Sequence, residues 1–146
     1  MYETIRALHS YWAFLVLFVL SVATINAIVK SIGGKAYSAK DFRLSLFTLI
    51  VTHIQLLVGL ILYFVSPRLA AFGELGIGGV MKDAVNRLYL VEHPLVNIIA
   101  VALITIGYSK HKRKLTSAAK LKLIAIFYSI ALILLLSRIP WDAWLA

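Results

Sequence analysis

Apolar residues fill this chain in four long blocks separated by short polar breaks. The blocks run from about Ile5 to Val29, Phe42 to Val65, Leu88 to Tyr108 and Leu121 to Ile139. Each is long enough to cross a hydrocarbon core of ~30 Å at ~1.5 Å per helical residue. Within them, small or polar residues recur at alternating steps of three and four. The rows are His9, Ala13, Val16, Leu20, Ala23, Ala27; then Ser45, Thr48, Thr52, Gln55, Gly59, Leu62, Ser66. The third is His93, Asn97, Ala100, Ile104, Gly107, and the fourth Ala118, Lys122, Ala125, Ser129, Leu132, Leu136. Such a spacing keeps one helix face against a partner along the whole span. Small residues on that face let helices approach closely in lipid, where no hydrophobic effect drives them together. The pattern predicts an all-α polytopic membrane protein, an up-down-up-down four-helix transmembrane bundle forming one domain over residues 1–146. The first block exceeds the ~7–15 residues of a signal-peptide core and carries only Arg6 on its flank, so it is read as a retained helix.

Composition sharpens this reading. Of 146 residues, 62% are hydrophobic and 14% charged, and the mean hydropathy of +0.92 excludes a disordered tail and argues against a water-soluble enzyme. The formal charge of +9 would suggest nucleic acid on a soluble protein. Here the basic residues sort to one side instead, as the positive-inside rule describes, and no nucleic-acid partner is expected. Lys30, Lys35, Lys40 and Arg43 flank the first break, and Lys110, Lys112, Arg113, Lys114, Lys120 and Lys122 flank the third. Both termini and the Gly-rich middle loop are therefore expected on the periplasmic side of a bacterial inner membrane. Trp12, Tyr89, Trp141 and Trp144 are expected at that outer interface. With no Cys, disulfides, iron–sulfur clusters, thiolate zinc sites, catalytic thiols and covalent c-type haem are excluded.

Two histidines head their rows. His9 opens the first span and His93 the third, and these spans run in the same direction, so the two rings are expected at one depth. In an up-down bundle those helices are diagonal, with axes roughly 12–14 Å apart. That gap suits one iron with an imidazole on each side and a porphyrin in the slot between. The competing reading is two unrelated interfacial histidines bonded to water or backbone. Cations for haem propionates are available on the same side in Arg6, Arg68, Arg87 and Arg138. Arg138 lies within the last turn of its span, where a charge is paired or snorkels. Asn97 follows His93 by one turn and is placed to line a pocket. Pro94 either breaks the helical ladder beside the ligand or starts that helix. The loop from Pro67 to Arg87 reads as a lid or a plain linker, and Met81 within it as a weaker candidate axial ligand. His53 lies at mid-membrane off its own row, as a functional group or as a neutral imidazole bonded to the carbonyl one turn back. His111 sits in the run Lys110 to Lys114 and reads as a solvated flank.

The segments THIQLLVGLILYFVSP (Thr52 to Pro67), VEHPLVNIIAVALITIGYSKHKRK (Val91 to Lys114) and LHSYWAFLVL (Leu8 to Leu17) resemble those of small four-helix membrane proteins of Bacteroidota, labelled cytochrome b-like. More distantly, they are similar to one four-helix half of haem A synthase. In that comparison His9 and His93 fall where histidines open alternate helices, and Gln55 with Gly59 falls on a Gln-x-x-x-Gly-like motif of the helix between. The resemblance implies haem ligation by His9 and His93, with Gln55 at the cofactor. This chain has Arg6 three residues before His9 and Ser10 directly after it, where the synthases have Glu and Arg, and it lacks their cysteine pair. The implication is haem binding rather than haem hydroxylation.

The expected function is a membrane b-type cytochrome with one non-covalent haem b, exchanging electrons with quinol or a respiratory-chain partner. Two other readings stand beside it: a haem-modifying enzyme, and a cofactor-free subunit of a larger membrane complex or homo-oligomer.

Overall fold

The computed structural model describes residues 1–145, and Ala146 lies outside it. The helices are α1 (Tyr2–Ile32), α2 (Ala39–Val65), α3 (Ala71–Lys82), α4 (Ala84–Arg87), α5 (His93–Lys112), α6 (Ser117–Ser137) and α7 (Trp141–Trp144). A 3-10 turn, Pro67–Ala70, follows α2, and a π-helical turn, Leu88–Glu92, joins α4 to α5. Among the described residues there is no strand. Four helical stretches are long and apolar enough to cross a membrane: Tyr2–Ile32, Ala39–Val65, the continuous Ala84–Lys112, and Ser117–Ser137. All four expected spans are present. The third is the most extended, gaining helix at both ends.

In the bundle, α1 packs between α2 and α6, and α5 packs between the same two helices. The first and third spans are therefore diagonal, the arrangement of an up-down-up-down bundle. Phe14, Phe18, Ile25, Phe47, Leu57, Ile61, Ile98 and Ile133 remain exposed around the outside. An apolar outer belt of this kind is the surface that lipid tails cover.

The expected rows on α1, α2 and α5 face inward: Val16, Leu20, Ala23, Ala27, Ser45, Thr48, Thr52, Ala100, Ile104 and Gly107 are buried. Polar members of the α2 row return their hydroxyls to its own backbone, Thr48 to the Leu44 carbonyl at 2.8 Å and Thr52 to the Thr48 carbonyl at 2.9 Å. The fourth row is corrected. The buried face of α6 is Leu121, Ile124, Tyr128, Ala131 and Leu135, and Ala118, Lys122 and Leu136 are exposed. Because α6 is apolar on every face, pattern alone does not orient it. Large α6 side chains instead fill the space left by small residues opposite. A Cβ on Gly107 would overlap Phe127, and the fully buried Tyr128 donates across the core to the Ser45 carbonyl at 2.8 Å.

Three further expectations change. The middle connection is helical, with a kink at Gly76, whose φ of 69° is a left-handed conformation that glycine adopts without strain. It packs Ala71 and Val80 on Leu90 in a small second core. Trp12 turns into the bundle, its indole N–H donating to the Val51 carbonyl at 2.9 Å. His111 is not solvated at all: its relative exposure is 0%.

The end holding His111 is closed by polar contacts. The Tyr37 hydroxyl meets His111 Nε2 at 2.8 Å, and His111 Nδ1 meets the Tyr108 carbonyl at 2.5 Å. Burial, then the nearby Asp41 carboxylate, pushes the Tyr37 phenol up to about 12, so it stays a donor. Imidazole therefore keeps its proton on Nδ1 and accepts at Nε2. The Tyr37 N–H also donates to Ser117 Oγ at 2.9 Å, clipping the first loop onto the start of α6. Nearby, buried Asp41 accepts from Asn26 Nδ2 at 2.8 Å, Lys30 Nζ at 2.5 Å and the Ser38 N–H at 2.7 Å. These bonds tie α1 to α2.

Candidate cofactor site

At the opposite end the diagonal helices stand apart around a cavity of about 370 Å³. Its size falls within the ~300–1,000 Å³ of small-molecule sites. The walls are mostly apolar, with His9, Ser10, Thr52, Gln55, His93 and Asn97 among the polar lining.

His9 and His93 face each other here. Their ring centroids are 6.1 Å apart and their planes cross at 76°. Two imidazoles ligating one metal from opposite sides at ~2 Å have centroids roughly 6 Å apart. The separation thus fits a single metal between them. His9 reaches this position because Gly59 leaves room: a Cβ there would lie 3.0 Å from His9 Cε1.

His93 is set by its backbone surroundings. Pro94 has no N–H to give the Leu90 carbonyl, and that carbonyl accepts from the Tyr63 hydroxyl at 3.1 Å instead. Pro94 thus interrupts the ladder and lies in the first turn of α5, while the π-helical turn Leu88–Glu92 keeps the span continuous. Asn97 donates back to the His93 carbonyl. His93 Nδ1 lies 2.7 Å from the Arg138 carbonyl. A carbonyl only accepts, so the proton sits on Nδ1 and Nε2 is left with its lone pair. A metal-ligating histidine is oriented in the same way, by donating its other N–H to a fixed acceptor.

The arginines divide. Arg6 and Arg68 line the cavity; Arg6 also pairs with Glu3 at 2.6 Å, and the Arg68 guanidinium lies 4.0 Å over the Tyr89 ring. Arg87 and Arg138 do not line it. Both grip Glu92, at 3.0 Å each, one residue before His93. Arg138 serves the site through its main-chain carbonyl and through this ion pair. Sequence reasoning missed Glu92 as the partner of these arginines, and Tyr63 as the group that satisfies the carbonyl freed by Pro94. A proline one turn beyond an unpaired carbonyl was the available signal for a nearby donor.

The remaining candidates lie elsewhere. Met81 is exposed and does not line the cavity; its carbonyl accepts from Arg87 at 2.7 Å. His53 Nδ1 meets the Leu49 carbonyl at 2.7 Å, the bond one turn back, and its ring is exposed on the bundle surface beside Thr105. Among the described residues, no group of three or more His, Asp or Glu side chains is placed to hold a metal ion. No family description, curated protein or solved structure matches this chain.

Proposed function

We propose that this protein is a membrane b-type cytochrome, holding one non-covalent haem between His9 and His93. The observation that carries this reading is the facing imidazole pair, 6.1 Å apart across the cavity with His93 Nδ1 bonded to the Arg138 carbonyl. Two protein nitrogens alone make an incomplete site for zinc, which takes three or four protein ligands. They suit a metal whose other ligands arrive with the cofactor. Haem held by His9 and His93 would supply one-electron chemistry rather than a vacant site for substrate. This favours electron transfer over haem modification. Arg6 and Arg68, both lining the cavity, provide cations for the propionates.

The chain's own residues do the rest. His93 is held in one tautomer, Gly59 admits the His9 ring, and mostly apolar walls surround the pair. Quinol is the expected redox partner, because it reaches this depth from the bilayer. Protein purified after expression with haem supplied is expected to show a stoichiometric low-spin signal in a reduced-minus-oxidised spectrum. Folded protein without haem would instead favour a cofactor-free subunit of a larger complex.

The charge asymmetry supports a bacterial inner-membrane location with both termini periplasmic. Cysteine replacing Tyr2 or Leu145 is then labelled by an impermeant thiol reagent on intact cells, and cysteine replacing Lys112 is not. Labelling of the latter from outside would reverse the orientation.

A further inference from the structure

Gln55 is satisfied on one side only. Its amide N–H donates to the His9 main-chain carbonyl at 2.9 Å, while its Oε1 is buried and bonds to nothing. His9 Nδ1 is buried and bonds to nothing either. Both residues line the same cavity, and the bond from Gln55 to the His9 main chain already places them side by side. The other buried side-chain atom without a partner, among the described residues, is Thr24 Oγ1. It lies fifteen residues along α1 from His9, about 22 Å of helix rise away.

A buried donor or acceptor left unpaired carries the cost of its lost hydration with nothing in return. Here a potential donor and an acceptor are stranded on two residues that line one cavity, and they are complementary. Imidazole protonated on Nδ1 is a donor; an amide oxygen is an acceptor. His93 already has such an arrangement, with its Nδ1–H on the Arg138 carbonyl. His9 lacks it. A ligating histidine almost always donates its second N–H to an acceptor that fixes the ring and raises its basicity.

We infer that Gln55 is the positioning residue of His9: its Oε1 accepts the His9 Nδ1–H, directly or through one water, when Nε2 serves as a metal ligand. This rests on the haem reading. The two histidines are then supported differently. His93 leans on a main-chain carbonyl that substitution does not remove, and His9 on a side chain that substitution does. The electronic character of the site is therefore adjustable at position 55.

Gln55→Leu and Gln55→Glu separate this role from a purely structural one. Both lose the amide N–H that ties α2 to the His9 carbonyl. Only Glu retains an acceptor, and a carboxylate draws the Nδ1 proton more strongly than an amide does. Stronger donation to iron stabilises its oxidised form. The midpoint potential of the haem-loaded protein, relative to the unsubstituted protein, is expected to fall in Gln55→Glu and rise in Gln55→Leu. Potentials are read from about pH 6 to about pH 10, so that a buried glutamic acid is followed into its ionised form. If the leucine variant loads no haem, Gln55→Met, unbranched, uncharged and equally unable to accept the Nδ1–H strongly, takes its place with the same rise expected. Shifts of the same sign in both variants, or no shift in Gln55→Glu at any pH, would overturn the positioning role and leave haem binding intact. Failure of the haem reading is a different result: no low-spin haem in the unsubstituted protein.

Discussion

His9→Ala and His93→Ala are each expected to abolish low-spin haem, or to leave it five-coordinate. The rings stand 6.1 Å apart from opposite walls, so neither has a substitute within the cavity. His53 is on the bundle surface, bonded to the Leu49 carbonyl, and His111 is sealed at the far end. Their alanine variants should keep the parent spectrum. His93→Ala carries a second consequence, since it also strips the Arg138 carbonyl of its donor. That variant should be the less stable of the two. Optical and electron-paramagnetic spectra of purified variants read both outcomes. Stoichiometric low-spin haem in the double variant His9→Ala, His93→Ala would overturn the ligation.

The second large effect is at the opposite end and concerns stability alone. His111→Ala removes a fully buried ring packed against Tyr37, Phe42 and Tyr108. Deleting a buried aromatic side chain costs about 3–5 kcal/mol, through lost contacts and the space left behind. Tyr37→Phe is the finer probe. It leaves His111 Nε2 buried without its donor at 2.8 Å, which is expected to cost about 1–3 kcal/mol. Reversible unfolding in detergent measures both. The haem spectrum should not change in either variant, because the bundle's length separates the two ends. A His111→Ala protein as stable as its parent would mean that this ring is not part of the core.

The spans, their order and the pairing of His9 with His93 were legible because each rests on a local or periodic property. A block of apolar residues long enough to cross lipid becomes a helix, since no other open structure satisfies its backbone there. Successive spans must run antiparallel, and the up-down-up-down order then sets the first and third spans diagonal. Two histidines at the heads of those spans then meet at one depth. The inward rows on α1, α2 and α5 followed from small and polar residues recurring at the helical period.

What escaped was whatever depends on a contact between distant segments. The rotation of α6 is set by side chains such as Phe127, which fills the gap opposite Gly107, and its own apolar circumference carries no such information. His111 looked solvated because its sequence neighbours are lysines; Tyr37, seventy-four residues away, encloses it. Arg138 looked like a cation for a ligand, yet its side chain meets Glu92 and its carbonyl orients His93. Residue type and spacing determined which groups reach the His9 end of the bundle. Only tertiary packing decided which atoms they present there, because a hydrogen bond or an ion pair goes to the partner the fold brings within reach.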